Sequence, residues 1–208
     1  MTRWEEFQRR WKNCTACPLY ATRDRIVLAR GELPCDVLFI GEAPGRSEDA
    51  LGKPFIGPAG RLLQEIVRRA LEMVGYAETA GKEPGATGQG RPPVLSCAFT
   101  NVVCCIPLDE YGEKTEAPPD EAIRACSVRL LEFVEEVAKP KLLVCVGSVA
   151  KDWLDPTWKR GIYYGGKVPQ LAIVHPASIL RSNFAQQGFA VQRCVVQLAN
   201  AFKQLGQS

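Results

Sequence analysis

Four short apolar runs punctuate the chain, at 36–40, about 98–103, 142–146 and 171–174, and each gives way to turn-forming residues. Their length and enrichment in Val, Ile, Leu and Phe predict buried strands. Between them lie stretches with helical spacing. Trp4, Phe7 and Trp11 place a short amphipathic helix over 3–12, broken by Asn13-Cys14-Thr15-Ala16-Cys17-Pro18. Leu62, Leu63, Ile66, Val67, Ala70, Leu71 and Val74 share one face of a helix that follows Gly60 and ends near Gly75. Pro118-Pro119-Asp120-Glu121 reads as a helix start, with Ile123, Cys126, Leu130, Leu131, Val134 and Val137 on the buried face. A short helix follows Gly147-Ser148, and the last covers roughly 184–204. Strands that alternate with helices imply an α/β fold, a parallel sheet flanked by helices on both faces. With no internal repeat, the 208 residues are expected to form a single domain over 1–208.

Two long connections lack periodicity: 77–93, rich in Gly and Pro, and the polar segment 107–119. Connections of this length inside a compact domain are either functional or tolerated. The run GEAPGRSEDALGKPFIGPAG, Gly41 to Gly60, follows the first strand directly. Its glycines put backbone N–H groups at the carboxyl end of the sheet, where open α/β sheets bind ligands. It carries an exposed-looking aromatic, Phe55, and the acids Glu42, Glu48 and Asp49. A pocket for a flat polar ring such as a nucleobase is one reading; a connection held by Gly and Pro turns is the other. In a parallel sheet the loops after the first, second and fourth strands lie on one edge and converge on one cleft.

Composition narrows the picture only slightly. Apolar residues make up 46% of the chain and charged residues 24%, which is ordinary for a globular protein. No apolar run spans a bilayer, and the first residues lack the apolar core of a signal peptide, so a cytoplasmic location and no membrane partner are expected. The net charge of +3 does not announce a nucleic-acid binder, although seven Arg and Lys residues crowd the first thirty positions. They suit phosphate contacts or a solvated helix face equally. Nine cysteines are many for a chain expected to lack disulfides. Cys35, Cys97, Cys145 and Cys194 sit in or beside apolar runs and are expected to pack. Cys14-x-x-Cys17, Cys105 and Cys126 offer four thiolates for an iron–sulfur cluster or zinc, or else are incidental; spacing does not separate these.

His175 is the only histidine and follows the last strand directly, made rigid by Pro176. It is either a hydrogen-bonded structural residue or a donor aimed at developing negative charge. Ile179, Leu180 and Arg181 then form an apolar tip with a cation, suited to wedge into a base stack while Arg181 holds a phosphate.

Taken together, GEAPG-x-x-ED-x-x-GKPFIGPAG-x-LL, TNVV-x-C-x-P, LLVCVGSVA and VHPASILR resemble the uracil-DNA glycosylase superfamily, most closely its family 4, the iron–sulfur type. The resemblance runs over nearly the whole chain in the expected order. It implies a four-stranded parallel sheet between helices and a structural [4Fe-4S] cluster on Cys14, Cys17, Cys105 and Cys126, with Cys104 as a competitor of Cys105. It implies hydrolysis of the N-glycosidic bond of deoxyuridine in DNA by a monofunctional enzyme, expected to be a monomer. Phe55 would stack on the extruded base, Asn101 would read its edge, and the backbone around Gly41, Glu42 and Ala43 would line the O2 side and place a water. His175 would donate to O2. Ala43 stands where other branches carry an acid, so Glu42, ahead of Glu48 and Asp49, is the expected water-orienting group. The long loops leave room for another damaged or modified base, and Ala43 for a non-catalytic DNA-binding relative. A covalently trapping relative carries a basic, histidine-bearing loop after the second motif; this chain has YGEKTEAPP there, so trapping is not expected.

Overall fold

The computed structural model describes residues 1–78, 94–155, 166 and 168–206. In chain order the elements are α1 (Arg3–Trp11), a 3-10 turn (Pro18–Ala21), β1 (Ala29–Gly31), β2 (Val37–Gly41), α2 (Arg46–Leu51), α3 (Pro58–Met73), β3 (Ala77–Glu78), β4 (Val94–Leu95), β5 (Cys97–Asn101), α4 (Asp120–Glu132), a π-helical turn (Phe133–Ala138), β6 (Leu142–Val146), α5 (Ser148–Asp152), β7 (Gln170–Ile173), α6 (Pro176–Arg181) and α7 (Phe184–Leu205).

The main sheet has the order β1-β5-β2-β6-β7. Strands β2, β5 and β6 are buried at every position because helices cover both faces, which is why they read as continuous apolar runs. Side chains alternate between faces. Leu38, Ile40, Leu143 and Cys145 join Phe7 of α1, Ile123 and Leu130 of α4, Phe133 and Trp153 in one core layer. Val37, Phe39, Val144 and Val146 join Leu63, Ile66 and Val67 of α3 and Leu198 and Phe202 of α7 in the other.

The four expected parallel strands are present, and a fifth joins them. Ala29–Gly31 pairs antiparallel with β5, Ala29 opposite Thr100 and Gly31 opposite Ala98. At three residues and half-buried, it is too short and too polar to register as an apolar run. A separate two-stranded pair, β3 with β4, flanks the segment 79–93, so most of the long connection expected at 77–93 lies outside the described residues. The connection at 107–119 is organised: Leu108 bridges Thr115, Asp109 N–H donates to Lys114 O at 2.8 Å, and Glu116 N–H donates to Pro107 O at 2.9 Å. The four cysteines expected to pack, Cys35, Cys97, Cys145 and Cys194, are buried.

Candidate active site

Strand register assembles the site. Gly41 pairs with Asn101, Ile40 with Cys145, and Val146 with Ile173, so the carboxyl ends of β2, β5, β6 and β7 are flush. A cavity of about 1040 Å³ opens at that edge. Glu42, Ala43, Phe55, Asn101, His175 and Arg181 all line it, together with Thr115, Glu116 and Ala117 of the organised connection. The loops after the first, second and fourth predicted strands thus converge.

Gly41 stands behind this wall rather than in it. A Cβ there would lie 2.4 Å from Asn101 Oδ1 and 2.5 Å from Phe55 Cζ, so only glycine lets the amide and the ring meet across the strand end. Phe55 is not exposed as expected: it is 6% accessible and packs on Phe99, with ring centroids 5.9 Å apart. Its φ of 55° is costly for a non-glycine residue, about 1–3 kcal/mol. The surroundings hold it there. Arg30 of β1 donates to Pro54 O at 2.6 Å and Phe55 O at 3.1 Å, and Gln64 of α3 donates to Phe55 O at 2.8 Å. The Arg30 guanidinium also lies 4.1 Å from the centre of the Phe99 ring. Backbone strain held in place by surrounding hydrogen bonds clusters at binding and active sites.

Among the acids, two are structural. Glu48 Oε1 accepts the N–H groups of Ile56 at 2.9 Å and Gly57 at 2.7 Å, closing the loop onto the start of α3. Asp49, 6% accessible, accepts the N–H groups of Asp24 and Arg25. Glu42 lines the cavity half-buried.

Asn101 is held from behind by Arg129, which is 1% accessible. Its Nη2 donates to Asn101 O at 2.6 Å and Val102 O at 3.1 Å. His175 caps α6: its Nδ1 accepts the Ala177 N–H at 3.1 Å. An Nδ1 that accepts carries no proton, so in the neutral ring the proton sits on Nε2 as a donor. Burial, and then the Arg181 charge, lower the His175 pKa and favour that neutral ring.

The expected wedge is corrected at its first member. Ile179 is 2% accessible and sits in the core with α3 and α7, because the helical turn Pro176–Arg181 points it inward. Leu180, 44% accessible, and Arg181 point outward.

The thiols form a separate group. Cys14, Cys105 and Cys126 all act electrostatically on Cys17, so the four share one neighbourhood. Burial pushes the Cys17 thiol up to about 11. Cys126 is lowered to about 6, first by a hydrogen bond from Cys104 and, against burial, by Arg129. Cys105 is lowered to about 7, first by Cys104 and, against burial, by Arg23, whose Nη1 donates to its Sγ at 3.0 Å. Cys104 Sγ lies 3.8 Å from Cys126 Sγ. Among the described residues, no group of three or more His, Cys, Asp or Glu closes to the spacing of a single bound ion.

The family model described as the uracil DNA glycosylase superfamily matches residues 29–199, the span that carries the sheet and every cavity-lining loop. The chain belongs to the uracil DNA glycosylase superfamily. It is 32% identical over 182 residues to the Type-4 uracil-DNA glycosylase of Thermotoga maritima, covering 83% of this chain and 81% of that protein. It is 31% identical over 184 residues to the Type-4 uracil-DNA glycosylase of Pyrobaculum aerophilum, covering 82% and 81%. For the protein of the same name from Archaeoglobus fulgidus the identity is 28% over 190 residues, covering 85% and 82%. Membership of the superfamily agrees with the α/β architecture and with the resemblance carried by the motifs.

Arg30, Gln64 and Arg129 were not legible as site residues. Arg129 had one signal: it lies three residues after Cys126 and one before Leu130, on an otherwise apolar helix face.

Proposed function

We propose that this protein is a monofunctional uracil-DNA glycosylase that acts on DNA in base excision repair. The observation that carries the reading is the shared cavity wall of Phe55, Asn101 and His175. A base inside a duplex is out of reach, so the nucleotide is extruded into the cavity. Phe55 packs against the flat ring. The Asn101 amide both donates and accepts, which matches O4 and N3–H of uracil and opposes the reversed pattern of cytosine.

In the reaction the bond from C1′ to N1 breaks and its electron pair passes to the base, where charge gathers on O2. His175 Nε2–H donates there, neutral in the ground state, and contributes on the order of 3 kcal/mol to the transition state. A water oxygen bonds to C1′ and its proton passes through solvent to the departing uracil anion, leaving neutral uracil and an abasic sugar; Glu42, half-buried in the same wall, orients the water. Neither lysine attack nor a covalent enzyme–sugar bond is involved.

Cys14, Cys17, Cys105 and Cys126 hold a [4Fe-4S] cluster in this reading. Two observations support the fit: four thiols in one neighbourhood, and cations at Arg23 and Arg129 beside the two whose thiolate forms are favoured. Cys105 is favoured over Cys104 as the ligand because its sulfur accepts from Arg23 Nη1 at 3.0 Å, which supports the thiolate form. When bound, the cluster supplies a cross-link from the N-terminal segment to α4 rather than a redox step, since hydrolysis of a glycosidic bond involves no net oxidation or reduction.

The test is an abasic-site assay on single-stranded and duplex oligonucleotides carrying one U, hypoxanthine or xanthine, beside a T control. Uracil excision is expected, with a loss of about 10²–10³ in rate for His175→Ala and a comparable loss for Asn101→Ala, both variants folded. Strong cleavage of another base with none of U would replace the substrate; wild-type rates in both variants would remove the site. Anaerobically prepared protein should contain iron and absorb visible light; a colourless zinc protein would overturn the cluster.

A further inference from the structure

Three cations on three different elements share the cavity lining: Arg46 at the start of α2, Lys151 in α5 and Arg181 at the end of α6. All three side chains are exposed. None forms a salt bridge among the described residues, and what sets them apart from other unbridged basic residues is their convergence on one opening. Arg46 donates only to Gly112 O, and Arg181 to Ser178 Oγ at 3.4 Å. Unpaired cations from separate loops around one opening leave their charge available to an external anion. The uracil reading places a strand with one phosphate per nucleotide at that opening. Of the three acids in the lining, Glu48 is turned onto the backbone of Ile56 and Gly57, Glu42 is half-buried, and Glu116 is exposed on the 107–119 connection.

Resting on that reading, we propose that Arg46 and Lys151 form a phosphate clamp on the strand carrying the extruded nucleotide, completing with Arg181 a cationic track across the cavity mouth. The clamp reads the sugar–phosphate backbone and not the base, so it sets register and affinity without contributing to base choice. Each neutralised phosphate releases condensed counterions. The slope of log affinity against log salt therefore carries about 0.7–0.9 for each contact, depending on whether the DNA is single- or double-stranded.

The experiment measures binding of the intact protein to a U-containing and a T-containing oligonucleotide across a fourfold range of salt. For Lys151→Gln and Arg46→Gln the magnitude of the slope should each fall by about 0.7–0.9, roughly a threefold change in how much affinity salt removes over that range. The weakening at low salt should be equal for U and T. Lys151→Arg should restore the slope. Arg68→Gln, whose side chain is already paired with Glu65 and Glu72, serves as the control and should leave it unchanged. Unaltered slopes in both clamp variants, or a loss confined to U-containing DNA, overturns the clamp. Uracil excision by the wild type is scored in parallel: excision with unaltered slopes rejects the clamp alone, while no excision rejects the underlying reading.

Discussion

The chemistry assigned to His175 depends on one hydrogen bond. With Nδ1 occupied by the Ala177 N–H, protonating the ring would cost that bond as well as burial and proximity to Arg181, and all three oppose the charged form. Excision should therefore persist below the ordinary histidine value of about 6.5 and fall only in more acid solution. Single-turnover rates against pH should show a midpoint beneath that value, and Arg181→Gln should move it upward; a wild-type midpoint at or above it would contradict the neutral donor. The same shift makes stability from this group complete above about 6.5 and lost as pH drops below it, because the unfolded chain takes up the proton first. His175 was legible because it is the only histidine and ends a strand. The strained backbone of Phe55 and its clamp by Arg30 and Gln64 were not, because partners 25 and 9 residues away leave no local pattern.

Among the elements, the contrast is between what periodicity reveals and what tertiary contacts impose. The strands β2 and β6 and the helices α3 and α7 follow directly from apolar runs and helical spacing. The edge strand β1 and the π-helical turn after α4 have no such signature; β1 exists because β5 offers it a pairing edge. Ile179 shows the same limit: sequence groups it with Leu180 as a tip, whereas the helical turn sends one inward and the other outward. Arg129 ties α4 to the end of β5. Replacing it with methionine strips the donor from two buried carbonyls, at about 1–3 kcal/mol for each unsatisfied group. Arg129→Met should therefore melt several degrees lower, at about 2–4 °C per kcal/mol for a domain of this size, and lose excision as Asn101 shifts. Thermal melts paired with the abasic-site assay check this; an unchanged melt would mean that water replaces the guanidinium.

For the molecule as a whole, a flush sheet edge does what no single motif does. Motifs separated by more than 100 residues become neighbours because Gly41, Asn101 and Ile173 end their strands in register. No helix among the described residues is long and apolar enough to cross a membrane. The modest net charge of +3 says nothing of placement, and Arg46, Lys151 and Arg181 gather around the cavity. Total charge was thus a poor guide to partners, while the placement of individual charges is informative.

The inward anchoring of Ile179 has a mechanical consequence for its neighbour. The turn that carries Leu180 is plugged into packed interior by Ile179, so in the proposed reading Leu180 would act as a fixed post rather than a moving latch. On that reading the distortion of extrusion would fall on the nucleic acid, and excision should be faster for uracil at steps that kink cheaply, such as pyrimidine–purine steps, than in stiff A-tracts; equal rates in the two contexts would contradict a fixed post.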